Sequence, residues 1–252
     1  MIDKQELIEY AKLKTLNLGQ AEKDYFQNIV LFIIYRLYGF ELIFKGGTAL
    51  SKCYGLDRFS EDLDFNASVI FNVDKFKEYL NRFYLDYELE KSDFKDIGLK
   101  LTLRLKGPLY NGIKHSLCKL FIDISYRENL LLEPVIKKII NLEDLPSFDV
   151  LVMSKEEIFI EKIRAILTRN KARDLYDLWY LSKLNLLEIK KELIDSKVDY
   201  YDQKFYINNF KKAVLNKENI WITELSGLIK NVPSFKEVSK EVIDFVKNNI
   251  KD

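Results

Sequence analysis

Histidine and cysteine are nearly missing from this chain of 252 residues. His115 is the one histidine, and a single imidazole excludes a multi-histidine zinc or iron centre. Cys53 and Cys118 are the two cysteines, far apart and without CxxC spacing. They make neither a zinc ribbon nor a disulfide scaffold and suit a reducing cytoplasm. An excess of charge is missing too: 40 Lys and Arg face 39 Asp and Glu, a net +1. That balance excludes a basic nucleic-acid-binding tail and an acidic disordered one. Long apolar runs are also absent. The most apolar stretch, Ile29 to Ile34, runs into Tyr35 and Arg36, far short of the roughly 20 residues a spanning helix needs. Asp3, Glu6 and Glu9 break any apolar run at the start, so neither a signal peptide nor a membrane partner is expected. Low-complexity tracts and internal repeats are not seen.

What is present describes an ordinary globular chain. Hydrophobic residues make up 48% and charged residues 31%, enough for one large domain or two modest ones. Residues 1–150 carry 21 basic and 23 acidic side chains, and residues 151–252 carry 19 and 16. The composition shift near 150 divides a mixed helix-and-strand core, with N-terminal helices, from a helical part. The helical part is expected to pack on the core and complete its active site.

Periodicity places the elements. Gln20 to Tyr38 reads as a helix stopped by Gly39, and Glu41 to Lys45 as a short strand. Gly46-Gly47 turns the chain into a helix from Thr48 to Tyr54. Leu63 and Phe65 alternate with Asp62 and Asp64 as on a strand. Val73 to Phe83 reads as a helix; Tyr84 to Glu90, Ile97 to Lys106 and Leu117 to Tyr126 read as strands. Beyond residue 150, Ser154 and Glu157 form a capping-box signature ahead of a helix over Ile158 to Thr168. Ala172 to Leu184 and Ser234 to Asn249 read as further helices.

The chemistry concentrates in Phe44-Lys45-Gly46-Gly47-Thr48 and Arg58-Phe59-Ser60-Glu61-Asp62-Leu63-Asp64-Phe65. Glycines before a helix start let backbone N–H groups approach a phosphate. The Walker A spacing GxxxxGK[ST] is absent. Asp62 and Asp64, two apart on a strand, project from one face. Two such carboxylates repel unless a proton or cation separates them, and hard oxygens suit Mg²⁺ or Mn²⁺. A DxD alone also fits the solvated face of an antiparallel strand. Asp123 is a carboxylate inside the apolar strand Leu120 to Ile124, placed for metal binding or proton transfer, or equally at an edge. Lys162, Arg164, Arg169, Lys171 and Arg173 are five positive charges without an intervening negative one. They form a stripe for a triphosphate or an RNA backbone, or a solvated helix face. Tyr176, Trp179 and Tyr180 have the shape for base stacking. Leu175, Leu178 and Leu181 interleave with them at helical spacing, so they read first as core. Tyr200, Tyr201, Phe205, Tyr206 and Phe210 read likewise, and both cysteines read as small buried hydrophobes.

FKGGTALSKCYGL at 44–56, RFSEDLDF at 58–65, FIDISYRE at 121–128 and EKIRAILTRNKARDLYDLWYL at 161–181 together resemble the AbiEii/AbiGii toxin family of nucleotidyltransferases. That family is found in abortive-infection and type IV toxin–antitoxin systems. The resemblance implies an α+β, polymerase-β-like nucleotidyltransferase fold, with a small mixed sheet and a helical C-terminal part. It implies that Lys45, Gly46, Gly47 and Thr48 cradle nucleotide phosphates, with Ser60 and Arg173 also on phosphate. Asp62 and Asp64, with Asp123 as third carboxylate, would hold Mg²⁺ or Mn²⁺, and Lys162 and Asp174 would complete the catalytic set. Arg58, Arg164, Arg169 and Lys171 would be RNA contacts. A nucleoside triphosphate would be the substrate, the 3′ end of tRNA or another RNA the acceptor, and an antitoxin encoded nearby the partner. The alternatives are a same-fold transferase acting on a protein or small molecule, a silent nucleotide- or partner-binding module, and a structural interaction protein.

Overall fold

The computed structural model describes residues 1–93, 97–127, 130–140, 145–184, 189–199 and 204–251. The chain divides into two units. One comprises Met1–Cys53, Ser60–Asn129 and Pro134–Val152; the other comprises Tyr54–Phe59, Leu130–Glu133 and Met153–Asp252.

The first unit begins with helices α1 (Lys4–Lys14) and α2 (Leu18–Tyr38). Asn17 caps α2: its side chain accepts from the Gln20 backbone N–H at 2.9 Å, while the Gln20 side chain accepts from the Asn17 N–H at 3.2 Å. This reciprocal cap starts the helix two residues before the periodicity predicts. Gly39, at φ +55°, ends it as expected. Then follow β1 (Leu42–Lys45), α3 (Gly46–Tyr54), β2 (Asp62–Ala67), α4 (Val73–Arg82), β3 (Tyr87–Asp93), β4 (Gly98–Leu105), β5 (Cys118–Ser125), β6 (Val135–Ile139) and β7 (Phe148–Val152). The predicted start of β3 at Tyr84 is corrected: Tyr84 is exposed at φ +53°, in the turn after α4. The β6–β7 pairing was not expected, because four of the five β6 residues are exposed and leave no alternation to read.

These strands form one mixed sheet in the order β3-β4-β5-β2-β1-β7-β6. β2 lies antiparallel to β1 and parallel to β5, and β1 is parallel to β7. One sheet face is apolar: Phe44, Leu63, Phe65, Leu99, Leu101, Leu103, Leu120, Ile122 and Ile124 are all buried, and α2 packs against β5. Tyr35 of α2 donates to the Leu151 carbonyl at 2.7 Å and the Leu42 carbonyl at 3.1 Å, tying α2 to β7 and β1. Lys52 of α3 reaches Asp24 at 2.6 Å and Asn28 at 2.7 Å on α2, which fixes α3.

The second unit is helical: α5 (Lys155–Thr168), α6 (Ala172–Ser182), α7 (Lys191–Asp199), α8 (Ile207–Leu215), α9 (Trp221–Leu225) and α10 (Phe235–Asn249). The two-residue strands β8 (Ile189–Lys190) and β9 (Ile250–Lys251) pair in parallel. Ser154 caps α5 by accepting from the Glu157 N–H at 3.3 Å. The reciprocal half of the expected capping box is replaced, because the Glu157 carboxylate accepts from Leu131 and Leu132 N–H groups and pairs with Lys197 at 2.7 Å. Phe205 and Phe210 are core as expected, while Tyr206 is exposed. Tyr200 and Tyr201 lie outside the described residues. Among the described residues no helix is long and apolar enough to cross a membrane.

Leu120 is fully buried in a strand paired on both sides. Leu120→Ala is expected to destabilise the protein by about 2–5 kcal/mol, since lost burial and a residual cavity add. Urea denaturation reads this as a lower midpoint at unchanged slope.

Candidate active site

The open face of the sheet carries the first unit's chemistry. Buried Leu63 and Phe65 turn Asp62 and Asp64 to the opposite, half-exposed side. Lys45 on β1 and Asp123 on β5 flank Asp64 in register, and Lys100 on β4 stands beside Asp123. A lysine, two aspartates and a lysine thus lie in one row across four strands. The Lys100 ammonium is 3.0 Å from the Asp123 carboxylate.

The glycine turn closes directly on this row. Helix α3 starts at Gly46, two residues earlier than Thr48, with no intervening loop. Gly46 has φ +75°, where a side chain is strained. A Cβ there would also overlap the Asp64 carboxylate. Gly46 is therefore required twice, by backbone conformation and by the approach of Asp64. Thr48 is buried, and its hydroxyl donates to the Asp62 backbone carbonyl at 2.5 Å. The hydroxyl thus pins the start of α3 to β2, leaving backbone N–H groups to carry the expected phosphate contact. Gln27 donates to the Ser60 and Glu61 carbonyls at 2.9 and 3.1 Å and fixes the approach to β2. Ser60 is half-buried there.

Asp62 and Asp64 are hard oxygen donors on one face, a set that Mg²⁺ or Mn²⁺ accepts when water and phosphate complete the shell. Among the described residues, no group of three or more His, Cys, Asp or Glu side chains is gathered closely enough to hold a metal ion. The three expected carboxylates therefore share a face without forming a preformed cage, and Asp123 is already engaged by Lys100.

The second unit holds a buried ion network that the sequence reading only partly anticipates. Lys162 on α5 lies 2.9 Å from Asp174 and 2.6 Å from Asp177 on α6. Arg58, 2% exposed, grips Asp177 through two nitrogens at 2.5 and 2.7 Å and donates to the Phe59 carbonyl at 3.0 Å. Arg169 grips Asp174 through two nitrogens, at 2.7 and 2.9 Å. Burial opposes the charge on both aspartates, but the cations outweigh it and hold both carboxyls below the usual range. Burial likewise opposes the charge of Arg58 and Lys162, and the aspartates more than offset it.

These partners revise the predicted basic stripe. Arg58 is buried and committed to Asp177, so it leaves the RNA-facing set. Lys162 is held between two carboxylates. Lys171 is exposed and 3.4 Å from Glu224, and Arg164 and Arg173 are half-buried. Arg169 remains 52% exposed although it is bonded to Asp174. Asp177 is the member missed, though its i, i+3 spacing from Asp174 on one helix face was a readable signal. The aromatic trio is hydrogen-bonded within this unit: Tyr176 donates to Asp57 at 2.6 Å, Trp179 to Glu241 at 2.6 Å, and Tyr180 to the Tyr54 carbonyl at 2.7 Å. Burial pushes both Cys53 and Cys118 thiols up to about 12, so neither is a nucleophile at neutral pH.

A mixed sheet that presents paired aspartates beside a glycine-turned helix start has the class of a nucleotidyltransferase. The model for nucleotidyl transferase AbiEii toxins of type IV toxin–antitoxin systems matches residues 33–241, and the chain belongs to that family. The fold is similar to MenT4, a nucleotidyltransferase toxin from Mycobacterium tuberculosis H37Rv, at 18% identity and TM-score 0.70, covering 98% of this chain and 90% of that one. It is also similar to JHP933 from Helicobacter pylori, at 20% identity and TM-score 0.60, covering 98% and 92%. No curated protein matches the chain.

Two expectations follow. Gly46→Ala should displace Asp64 and lower kcat roughly 100-fold, while circular dichroism reports a retained fold. Asp177→Asn should cost about 3–5 kcal/mol at pH 7, since Arg58 and Lys162 lose a buried counter-charge. Because Asp174 and Asp177 have depressed folded-state values, their contribution is complete above the unfolded carboxyl value of about 3.9 and is lost as pH falls through the folded ones. Urea midpoints measured from pH 7 to pH 2 should fall steeply below about pH 4 in the wild type, and less steeply in Asp177→Asn.

Proposed function

We propose that this nucleotidyltransferase moves a nucleoside monophosphate from a triphosphate to an RNA hydroxyl, the 3′ end of tRNA, and so blocks growth until a cognate antitoxin intervenes. The observation that carries the reading is the single row in which Asp64 and Asp123 stand in register beside the Gly46 turn. In this reading the backbone of Gly46, Gly47 and Thr48, with Lys45 and Ser60, receives the phosphates. Asp62 and Asp64 are the residues that would hold Mg²⁺ or Mn²⁺, which would neutralise phosphate charge there.

The acceptor hydroxyl attacks the α-phosphorus in line. A phosphorus–oxygen bond to the acceptor forms, the bond to the bridging oxygen breaks, and pyrophosphate leaves. Asp123, paired with Lys100 at 3.0 Å, takes the hydroxyl proton. In the helical unit, Arg58, Lys162 and Arg169 carry one positive charge more than Asp174 and Asp177 neutralise. Arg169 brings that surplus to solvent as an RNA-phosphate contact, with Lys171, Arg164 and Arg173 near it in sequence. Lys162 and Asp174 hold this arrangement rigid.

Incubation with each α-³²P triphosphate, Mg²⁺ and total RNA should label a tRNA-sized band. The Asp62→Asn/Asp64→Asn variant should lose the label and relieve toxicity. Undiminished labelling in that variant would sink the site assignment, and label on a protein band would replace the acceptor.

A further inference from the structure

Phe121 breaks the pattern of its own strand. Its neighbours Leu120 and Ile122 are buried in the apolar face, and the other outward positions of β5 are Lys119, Asp123 and Ser125. Phe121 points outward among these polar residues and is 41% exposed. A large apolar ring is unusual there, since a polar residue would serve the solvated face of a strand better. Its position is specific. Phe121 stands in register with Asp62 on β2 and with Thr102 on β4. The Lys119 ammonium lies 4.5 Å from the ring centroid, so the ring already serves as a cation–π platform.

The sheet order says which substrate this platform meets. Gly46 follows β1, which flanks β2 on one side; β5 flanks β2 on the other. With phosphates on the glycine turn, the leaving pyrophosphate lies toward β1. In-line displacement brings the nucleophile from the opposite side, which is the side of β5, Asp123 and Phe121. We infer that the terminal base of the acceptor strand stacks on Phe121, while Lys119 swings from the ring to the adjoining phosphate. This rests on the proposed transfer to a nucleic acid and adds that the acceptor must end in an unpaired, stackable nucleotide. Stacking on a lone aromatic is sequence-tolerant, because every base offers a π face.

The test uses a fluorescent single-stranded RNA oligonucleotide ending in CCA, titrated into the intact protein without triphosphate and read by anisotropy. Phe121→Ala should weaken its binding roughly 5- to 100-fold, and Phe121→Trp should retain it. Lys119→Ala should weaken it less and flatten its salt dependence. In steady-state assays, Phe121→Ala should raise the KM for RNA and leave the KM for the triphosphate unchanged. Equal oligonucleotide binding by wild type and Phe121→Ala overturns the inference. A rise confined to the triphosphate KM also overturns it and assigns the ring to the incoming base. The anisotropy measurement needs no turnover, so a wild type that binds the RNA through Phe121 yet transfers nothing to it would overturn the proposed reaction and leave the stacking site standing.

Discussion

Strand β2 lies between an antiparallel neighbour and a parallel one, and its register against both decides what the sheet can do. Shifting it by one residue would turn Leu63 and Phe65 to solvent and drive Asp62 and Asp64 into the core. Neither outcome is tolerable: two apolar side chains would lose their burial, and two carboxylates would be desolvated without counter-charge. Phe65 packs on Phe44 of β1 with ring centroids 5.4 Å apart, which locks the same register from the apolar side. The hydrophobic core and the acidic row are thus two faces of one constraint. Gly46 completes it, because any side chain at that position would contest the space Asp64 occupies.

The two units handle charge in opposite ways. In the helical unit, Arg58, Lys162, Asp174 and Asp177 are buried, and every charge meets an opposite one. Such a network is costly to desolvate and holds only while its members remain paired. It specifies one arrangement of α5, α6 and the 54–59 segment, since its members come from those three stretches of chain. The sheet unit instead leaves Asp62, Asp64 and Asp123 half-buried on an open face. There like charges stand near one another in reach of water and ligands. A near-neutral total therefore conceals a closed ion network and an open row in which two aspartates stand between two lysines.

What could be read in the sequence was whatever depends on near neighbours. Leucines at 99, 101, 103 and 105 announce a half-buried strand, and Asp62-Leu63-Asp64-Phe65 announces both faces of β2 at once. Gly46-Gly47 marks the turn, although the helix begins on Gly46 itself. Less legible were features set by distant partners. Arg58 looks like an RNA contact beside the acidic motif, and only Asp177, 119 positions away, makes it a buried anchor. The basic stripe was counted along the chain, whereas Asp174, Asp177 and Glu224 neutralise it in space. β6 escaped notice because an exposed edge strand needs no alternation. Phe121 was passed over inside an apolar run, where its outward direction follows only from the burial of Leu120 and Ile122.

The scarcity of histidine and cysteine then bears on mechanism. Enzymes that pass a group through a covalent intermediate commonly use a thiol, an imidazole, or a hydroxyl activated by a nearby base. Here both thiols are raised to about 12 by burial, and the one imidazole, His115, is exposed on a short turn ahead of β5. The Thr48 hydroxyl is engaged by a backbone carbonyl. What the sheet offers beside the glycine turn is carboxylate oxygen, a weak base and a good ligand for hard cations. Those oxygens suit the direct transfer proposed above, in which an external hydroxyl attacks while the protein positions both substrates and removes one proton. Rate acceleration then rests on alignment and charge placement more than on any reactive side chain. A chain that works by alignment depends on register, and the row from Lys45 to Lys100 is fixed by the same strand pairing that buries its core.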